Sequence, residues 1–333
     1  MTSSSPRREA RPGQSRFSEL FIRHEQNPIL EAGRWPYPAH SVFNPGAVRL
    51  PSGERLLLVR VEDRRGASHF ATARSADGVS DWVIDPEPAL MPRPEDHPEE
   101  LWGIEDPRIV WLDEIQRYAV TYTAFSRNGP LVALALTEDF REFERRGPIT
   151  PPEDKDAALF PYRIGGRWVL IHRPVASHGS SKANMWLSFS PDLKHWGDHM
   201  MLMEARDGSY WDAGKIGLSP PPVATSEGWL ILYHGVRHTA SGALYRMGLA
   251  LLDLEDPRVV VARGEDWVFG PSASYEVSGD VPNVVFSCGT VVDESGQMQM
   301  YYGAADTSIG VATANVSDLL QWLRSQRTPR SPS

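Results

Sequence analysis

Basic and hydrogen-bonding side chains recur at the ends of several apolar strands of this chain. The segments that carry them are His172-Arg173-Pro174, Asp212-Ala213-Gly214-Lys215-Ile216-Gly217, Tyr233-His234-Gly235 and Tyr245-Arg246. Arginine offers a planar fork of donors and lysine a point charge, so such cations in one pocket would bind an oxyanion. Each residue alone would also serve as a surface charge or a satisfied donor. In a chain of net charge −9, their recurrence favours a local anion site.

Acidic and amide side chains stand at three other strand ends. Gly103-Ile104-Glu105-Asp106-Pro107-Arg108 precedes an apolar strand, and Pro107 restricts Asp106 to an extended backbone at the strand entrance. Asn44 stands in Asn44-Pro45-Gly46-Ala47 near one end of the chain, and Asp306 stands in Tyr302-Gly303-Ala304-Ala305-Asp306-Thr307 near the other. A solvated turn with an ion pair, or ordinary turn chemistry, would explain these residues as well.

The elements that would bring these residues together are predicted by a repeat. Five times an apolar strand leads into a polar turn, usually with an acidic residue and an aromatic, at spacings of roughly 50 to 65 residues. The copies centre on Asp77, Asp139, Asp192, Asp253 and Asn315. A strand repeat of this length is typical of a propeller with one four-stranded sheet per repeat, so we predict an all-β, five-bladed β-propeller. Inner strand ends from distant blades would then share one axial pocket, with the first and last blades as neighbours.

The predicted domain organisation is simple. We expect a disordered tail over residues 1–15, one propeller catalytic domain over residues 16–323, and a disordered tail over residues 324–333. Only Val316 to Ser325 shows helical spacing, through Val316, Leu319, Leu320 and Leu323. This segment predicts a short helix near the end of the chain.

Composition excludes several classes of function. With 43 acidic and 34 basic residues, the 333-residue chain lacks the basic face that nucleic-acid binding needs. A single cysteine, Cys288, cannot form an intramolecular disulfide, and its apolar neighbours predict a buried strand position. The first 15 residues are rich in Ser, Arg and Pro, and no apolar run approaches the length of a membrane helix. We therefore expect no membrane association and a cytoplasmic location.

Common catalytic motifs do not occur in the sequence. There is no Gly-x-Ser-x-Gly nucleophile elbow, no phosphate loop ending in Gly-Lys-Ser and no His-Glu-x-x-His metal motif. His195, His199 and His238 lie in turn-like segments. We therefore expect neither a catalytic metal nor a cofactor. Trp102, Trp186 and Trp211 lie close to the polar segments, where they would either stack on a sugar or pack between blades.

The order of these segments resembles the β-mannoside phosphorylases of glycoside hydrolase family 130. The resemblance runs from about Asn44 to Asp318. Five of its segments are quoted above: Gly103-Ile104-Glu105-Asp106-Pro107-Arg108, His172-Arg173-Pro174, Lys215-Ile216-Gly217, Tyr233-His234-Gly235 and Tyr302-Gly303-Ala304-Ala305-Asp306-Thr307. The other five are Tyr122-Thr123-Ala124, Lys155-Asp156-Ala157, Pro220-Pro221-Pro222, Asp253-Leu254-Glu255-Asp256-Pro257 and Val281-Pro282-Asn283-Val284-Val285-Phe286. Any one of them would be weak, but ten segments in register are specific.

The resemblance implies an enzyme that cleaves a terminal β-mannosidic linkage with inorganic phosphate and releases α-mannose 1-phosphate with inversion. Asp106 would be the general acid, acting through a hydroxyl group of the bound mannose. The implied phosphate-binding residues are Arg173, Lys215, His234, Tyr245 and Arg246. The implied substrate-binding residues are Asn44, Arg60, Arg65, Ser68, Glu105, Asp212 and Asp306. The expected partners are a small mannoside and phosphate, with self-association into a homo-oligomer left open.

The residues agree with this implication on physical grounds. An inverting hydrolase needs an acid and a base that activates water, whereas phosphate is already an anionic nucleophile. One acid opposite several cations therefore favours phosphorolysis. Three alternatives stay open at this point: a mannoside hydrolase with Glu276 as base, a non-catalytic glycan-binding propeller, and another five-bladed carbohydrase such as an arabinofuranosidase. The acceptor sugar would contact segments 91–100 and 176–182, whose sequences predict no specificity.

Overall fold

The computed structural model describes residues 19–175, 182–240 and 242–326. In these ranges the chain is built almost wholly of antiparallel strands. The first eleven are β1 (Ile22–Arg23), β2 (Leu30–Glu31), β3 (Ser41–Arg49), β4 (Arg55–Glu62), β5 (Ser68–Ser75), β6 (Val83–Ile84), β7 (Ile104–Leu112), β8 (Arg117–Ser126), β9 (Gly129–Thr137), β10 (Glu144–Pro148) and β11 (Asp154–Leu159).

The remaining strands belong to the second half of the chain. They are β12 (Trp168–Pro174), β13 (Met185–Ser190), β14 (Gly197–Met203), β15 (Lys215–Leu218), β16 (Val223–Thr225), β17 (Gly228–Thr239), β18 (Gly242–Leu252), β19 (Val260–Arg263), β20 (Val285–Val292), β21 (Gln297–Ala304) and β22 (Ser308–Asn315). The α-helices are α1 (Ser274–Val277) and α2 (Val316–Ser325), and short 3-10 helices cover Ala32–Arg34, Pro98–Glu100 and Asp113–Ile115.

The strands form five separate sheets, which are the five blades. Blade 1 is β3 to β6, blade 2 is β7 to β10 and blade 3 is β11 to β14, each in simple meander order. Blade 4 orders β15, β17, β18 and β19, with β16 paired beside β17. Blade 5 orders β20, β21, β22 and β1. The prediction of an all-β, five-bladed propeller is therefore confirmed.

The ring closes by joining the two ends of the chain. Strand β1 pairs antiparallel with β22, with Ile22 opposite Thr313, and so supplies the outer strand of the last blade. The innermost strand of that blade, β20, lies beside β3 of the first blade. Because the first and last blades become neighbours in this way, Asn44 and Asp306 lie on the walls of one cavity.

The repeated acidic turns link the third and outer strands of the blades. Oδ1 of Asp77 accepts hydrogen bonds from the backbone N–H groups of Val79 and Ser80, at 2.8 and 2.9 Å. Asp139, Asp192 and Asp253 each accept two backbone N–H groups in the same way. Asn315 instead caps helix α2, accepting from the N–H of Ser317 at 3.0 Å. The repeat is thus an Asx turn that satisfies backbone donors where the chain reverses.

The hydrophobic core is divided among the interfaces between blades. Among the described residues there are five large apolar clusters, and each joins two neighbouring blades. A small sixth cluster of Val284, Phe286 and Cys288 lies nearer the axis. Cys288 is buried, as its neighbours predict, and burial raises the pKa of its thiol.

The helix predicted near the end of the chain is present. Helix α2 has the predicted limits and buries Leu319, Leu320 and Leu323, so it ends two residues beyond the predicted domain boundary at residue 323. The predicted tail over residues 1–15 and residues 327–333 lie outside the described residues, and the domain limits stay predictions. No helix in the described ranges has the length and apolar character needed to cross a lipid bilayer.

Candidate active site

Bulges in the innermost strands direct polar side chains to the axis. The pairing register shifts between Phe43 and Gly46 in blade 1, between Glu105 and Arg108 in blade 2, and between Lys155 and Ala158 in blade 3. Asn44, Asp106 and Asp156 lie within these shifts, with positive φ values of 46°, 54° and 54°. The extended backbone predicted for Asp106 is therefore wrong, because the bulge holds this residue in the left-handed region. A bulge re-aims the side chain at the extra residue, so three equivalent positions supply three inward polar groups.

These residues meet in a cavity of about 180 Å³ on the axis. Its lining comes from all five blades and the segments between them. The lining residues are Asn44, Arg60, Asp106, Lys155, Asp156, Arg173, Lys215, His234, Tyr245, Val281, Val284, Phe286 and Asp306. The structure therefore brings together eight of the thirteen residues proposed from the sequence: Asn44, Arg60, Asp106, Arg173, Lys215, His234, Tyr245 and Asp306.

Asp106 is a buried carboxylate held by two donors. Its Oδ1 accepts hydrogen bonds from Nδ2 of Asn44 at 2.9 Å and from Nη1 of Arg60 at 3.0 Å. Burial acts to raise its pKa, but the charges of Arg60, Lys155 and Arg108 outweigh burial and hold the pKa below its ordinary value. The neighbouring blade thus fixes the orientation of the carboxyl group, and its lowered pKa leaves that group ionised at neutral pH.

The cations of the cavity surround a second buried carboxylate. Nε of Arg173 donates to Oδ2 of Asp156 at 2.6 Å, and Nε2 of His234 lies 3.2 Å from the same oxygen. Burial alone would raise the pKa of Asp156, but Arg173, His234 and Arg108 hold it well below the ordinary value. Gly217 makes this contact feasible, because a Cβ there would lie 2.3 Å from Oδ2 of Asp156.

Lys215 has no ion-pair partner among the described residues. No carboxylate of the described residues lies within ion-pair distance of its amine, which sits 5.1 Å from the centre of the Tyr245 ring. Burial and the nearby charge of Arg173 lower the pKa of Lys215 to about 8. Burial likewise lowers the pKa of His234. A partly buried amine with this environment would gain from any anion that entered the cavity.

Lys155 and Asp156 line the cavity, but the sequence reasoning did not place them among the site residues. Lys155 donates to Oε2 of Glu105 at 3.2 Å, and the charges of Glu105 and Asp106 raise its pKa against the effect of burial. The available signal was Lys155-Asp156-Ala157, a polar pair before an apolar strand of the same kind as Glu105-Asp106. Reading the two pairs as equivalent positions in successive blades would have identified both residues.

A second, wider cavity of about 660 Å³ opens beside the first and shares Arg60 with it. Three further residues proposed from the sequence, Arg65, Ser68 and Glu105, line this outer cavity. Nε of Arg60 donates to Oγ of Ser68 at 2.9 Å, and Nη2 lies 3.2 Å from Oε1 of Glu105. The opposite wall is apolar and includes Met91, Leu101, Trp102 and Phe125.

Two residues proposed from the sequence lie elsewhere. Arg246 follows Tyr245 on strand β18, and successive side chains of a strand point to opposite faces. Tyr245 faces the cavity, so Arg246 stacks instead on the Trp267 ring, 4.7 Å from its centre. Asp212 is fully buried behind the cavity, where its Oδ2 accepts hydrogen bonds from Arg206, Arg263 and Tyr233 at 3.0, 2.6 and 3.1 Å. Its role here is to hold the segment before β15.

Glu276, the base considered for a hydrolase, also lies outside the cavity lining. Its carboxylate accepts from Nε of Arg23 at 2.7 Å and from the hydroxyl group of Tyr302 at 2.8 Å. It also accepts two backbone N–H groups at the start of α1. Glu276 therefore joins the closing strand β1 to blade 5, and it lines neither of the two cavities described for this site.

Asp306 occupies the turn between β21 and β22. Ala305 and Asp306 have φ values of 48° and 52°, as the two central residues of a type I′ hairpin turn require. Burial raises the pKa of Asp306 to about 7; the nearby Asp106, Glu62 and Glu105 add to the rise and Arg60 opposes it. The cavity therefore contains two carboxyl groups that are ionised, Asp106 and Asp156, and a third, Asp306, that titrates near neutral pH.

Comparison with known proteins identifies the family of the chain. Residues 7–325 match the family model described as beta-1,4-mannooligosaccharide phosphorylase. The chain belongs to glycoside hydrolase family 130. The resemblance predicted from the motifs is confirmed, and so is the prediction of a mannoside phosphorylase at the level of the family.

Individual relatives show the extent of the likeness. A beta-1,4-mannooligosaccharide phosphorylase of Ruminococcus albus is 34% identical over 313 residues, which are 92% of each chain. A beta-1,2-mannobiose phosphorylase of Listeria innocua is 40% identical over 257 residues, which are 77% of this chain and 69% of that one. The solved structure of the Listeria innocua enzyme with beta-1,2-mannobiose superimposes with a TM-score of 0.83 and 32% identity, covering 92% of this chain and 99% of that one.

The pKa of Asp306 predicts a pH-dependent effect on stability. Its folded-state value of about 7 lies above the ordinary 3.8, so the folded protein holds the proton more tightly between these values. The free energy of unfolding therefore falls as pH rises from about 4 to 7, because the folded protein loses a proton that it binds more tightly than the unfolded chain does. Above pH 7 this loss of stability no longer grows. Asp306→Asn should therefore raise the thermal unfolding midpoint more at pH 8 than at pH 5. Asp266→Asn removes an exposed carboxylate as the control, and equal changes at both pH values for Asp306→Asn would contradict the prediction.

Proposed function

We propose that this protein cleaves the terminal β-mannosidic linkage of a small manno-oligosaccharide or mannosyl disaccharide with inorganic phosphate, giving α-mannose 1-phosphate with inversion. The observation that carries the proposal is Lys215, which has no ion-pair partner among the described residues and lies beside Arg173 and His234, in the same cavity as the buried carboxyl group of Asp106. The relatives named above act, by their names, on β-mannosides as phosphorylases. They support the reaction class for this chain.

Phosphate fits the cationic end of the cavity on electrostatic grounds. A phosphate dianion beside Lys215 would supply a countercharge within ion-pair distance of the amine. Arg173 would add a charge-assisted hydrogen bond. The hydroxyl group of Tyr245 is a further donor on this wall. Held there, the nucleophile would be oriented towards a sugar bound between Asn44 and Asp306, which replaces a two-body encounter by an aligned attack.

Asp106 is the proton donor in this proposal. Arg60 and Lys155 lower the pKa of Asp106, whereas a proton donor must carry its proton during the reaction. An entering phosphate dianion opposes these cations, so we infer that it raises the pKa of Asp106 when the substrate complex forms. The proton would reach the leaving oxygen through a hydroxyl group of the mannose. No general base is needed, because phosphate attacks as an anion.

The outer cavity is the place for the leaving sugar. It adjoins the inner cavity at Arg60, so a sugar held there would be next to a mannose at the junction. Its apolar wall offers the exposed ring of Trp102, which packs edge to face on Phe125 with ring centres 5.2 Å apart. Aromatic faces of this kind bind the apolar face of a pyranose ring. Part of the predicted acceptor region, residues 176–181, lies outside the described residues.

Product analysis tests the proposed function. The protein would be incubated with β-1,4-mannobiose and with β-1,2-mannobiose, each with and without inorganic phosphate, and products followed by ³¹P and ¹H NMR. We expect α-mannose 1-phosphate from at least one substrate, and no turnover without phosphate. Release of free mannose at the same rate in phosphate-free buffer would replace the proposal by a hydrolase. Formation of the β-phosphate would contradict inversion.

Lys215→Ala should weaken phosphate use selectively. A charge-assisted contact contributes about 1.5–3 kcal/mol, so the KM for phosphate should rise roughly 10- to 150-fold while the KM for the mannoside changes little. Lys194→Ala removes an exposed lysine in a turn of blade 3 and provides the matched control. Steady-state kinetics with each substrate varied in turn would measure both constants. An equal rise in the two KM values would remove Lys215 from the phosphate site.

A further inference from the structure

A chain of four polar side chains crosses blade 3, with one residue on each strand. Oδ2 of Asp154 on β11 lies 2.6 Å from Nδ1 of His172 on β12. Nε2 of His172 lies 2.6 Å from Oγ of Ser188 on β13, and that hydroxyl group lies 2.7 Å from Nδ1 of His199 on β14. Asp154, His172 and Ser188 are buried, whereas His199 is exposed at the edge of the blade.

One assignment of the hydrogen atoms satisfies every group in this chain. His199 donates its Nδ1–H to Ser188, Ser188 donates its O–H to Nε2 of His172, and His172 donates its Nδ1–H to Asp154. All three bonds then run in the same direction, which strengthens each of them. Buried polar groups of this kind are costly unless fully satisfied, and here each of Asp154, His172 and Ser188 is satisfied by its neighbour in the chain.

The inner end of the chain holds the backbone of a cavity residue. Oδ1 of Asp154 accepts the backbone N–H of Arg173 at 3.1 Å. The guanidinium of the same Arg173 is held by Asp156, two residues after Asp154 on β11. The register of β11 against β12 shifts just after Lys155, so the regular ladder is interrupted at this place. Arg173 is therefore fixed twice, through its backbone by Asp154 and through its side chain by Asp156.

We propose that Asp154, His172 and Ser188 are positioning residues for phosphate: the chain locks the carboxylate of Asp154, which in turn fixes Arg173 in the cavity. The inference rests on the proposed function, because it assigns phosphate to Arg173. None of the three residues lines the cavity, so they act through Arg173 alone. Loss of the chain would loosen the phosphate end of the cavity and leave the sugar end, with Asn44 and Asp306, unchanged.

Binding of inorganic phosphate to the full chain, measured by titration calorimetry, tests this assignment. Ser188→Ala removes the hydroxyl group that joins the two imidazoles and should weaken phosphate binding about 3- to 10-fold, the effect of one lost hydrogen bond. Asp154→Asn should weaken it on the order of 10-fold or more, because it alters a charged acceptor. Ser190→Ala is the matched control: Ser190 is also buried on β13, but its hydroxyl group bonds only within the turn at Asp192.

The kinetic readout separates positioning from a general structural role. Ser188→Ala and Asp154→Asn should raise the KM for phosphate while the KM for the mannoside and kcat at saturating phosphate stay within about twofold of the parent. The inference would be overturned if Ser188→Ala and Asp154→Asn changed phosphate affinity no more than the control Ser190→Ala does. Equal rises in the KM for phosphate and the KM for the mannoside would also overturn it. Unfolding midpoints of the variants show whether lost stability accompanies the change.

Failure of the proposed function gives a different result. If the parent binds phosphate but cleaves mannosides equally well without it, the proposed reaction is wrong and the calorimetric comparison still decides the role of the chain. If the parent does not bind phosphate, the inference is overturned together with the proposed function.

Discussion

The buried carboxylate of Asp156 is the contact on which the cavity depends. Arg173 and His234 lie 2.6 and 3.2 Å from its Oδ2, and Arg108 lies 3.6 Å from its Oδ1. The two guanidinium groups would repel one another in a buried site, and one shared anion offsets that repulsion. Asp156 attracts Lys215 as well, but burial and Arg173 outweigh this attraction, and none of the described carboxylates forms an ion pair with the amine. The geometry thus prepares an anion site without filling it.

The propeller turns a local irregularity into a shared site. Each of the first three inner strands has a bulge at an equivalent place, and the bulges aim Asn44, Asp106 and Asp156 at the axis. Arg108 fixes the level of these strands, because its Nε and Nη2 donate to the carbonyl groups of Ser219 and Leu218 in blade 4, at 2.6 and 2.9 Å. Acid and cations are therefore held by different blades, and their separation depends on blade packing rather than on any one loop.

Sequence reasoning predicted the fold because the blade is a local unit. The strand, turn and aromatic spacing repeats within each blade, and helix α2 shows plain helical periodicity. It predicted the cavity less completely, because a shift of one residue along a strand decides which side chains face the axis. Arg246 points away from the cavity since Tyr245 points into it. Asp212 forms ion pairs with two arginines instead of lining the cavity. Closure by strand β1 could not be derived, because two residues, Ile22 and Arg23, carry no strand signal of their own. Asp156 was missed because the only sign of its bulge is the likeness of the pair Lys155-Asp156 to Glu105-Asp106 at the equivalent strand of the preceding blade.

A crystal structure of the protein with inorganic phosphate and mannose tests the central claim most directly. The account predicts phosphate within hydrogen-bond distance of Arg173, Lys215 and His234, with mannose between it and Asp106. Phosphate bound on another surface, or mannose occupying the cationic end of the cavity, would contradict the account.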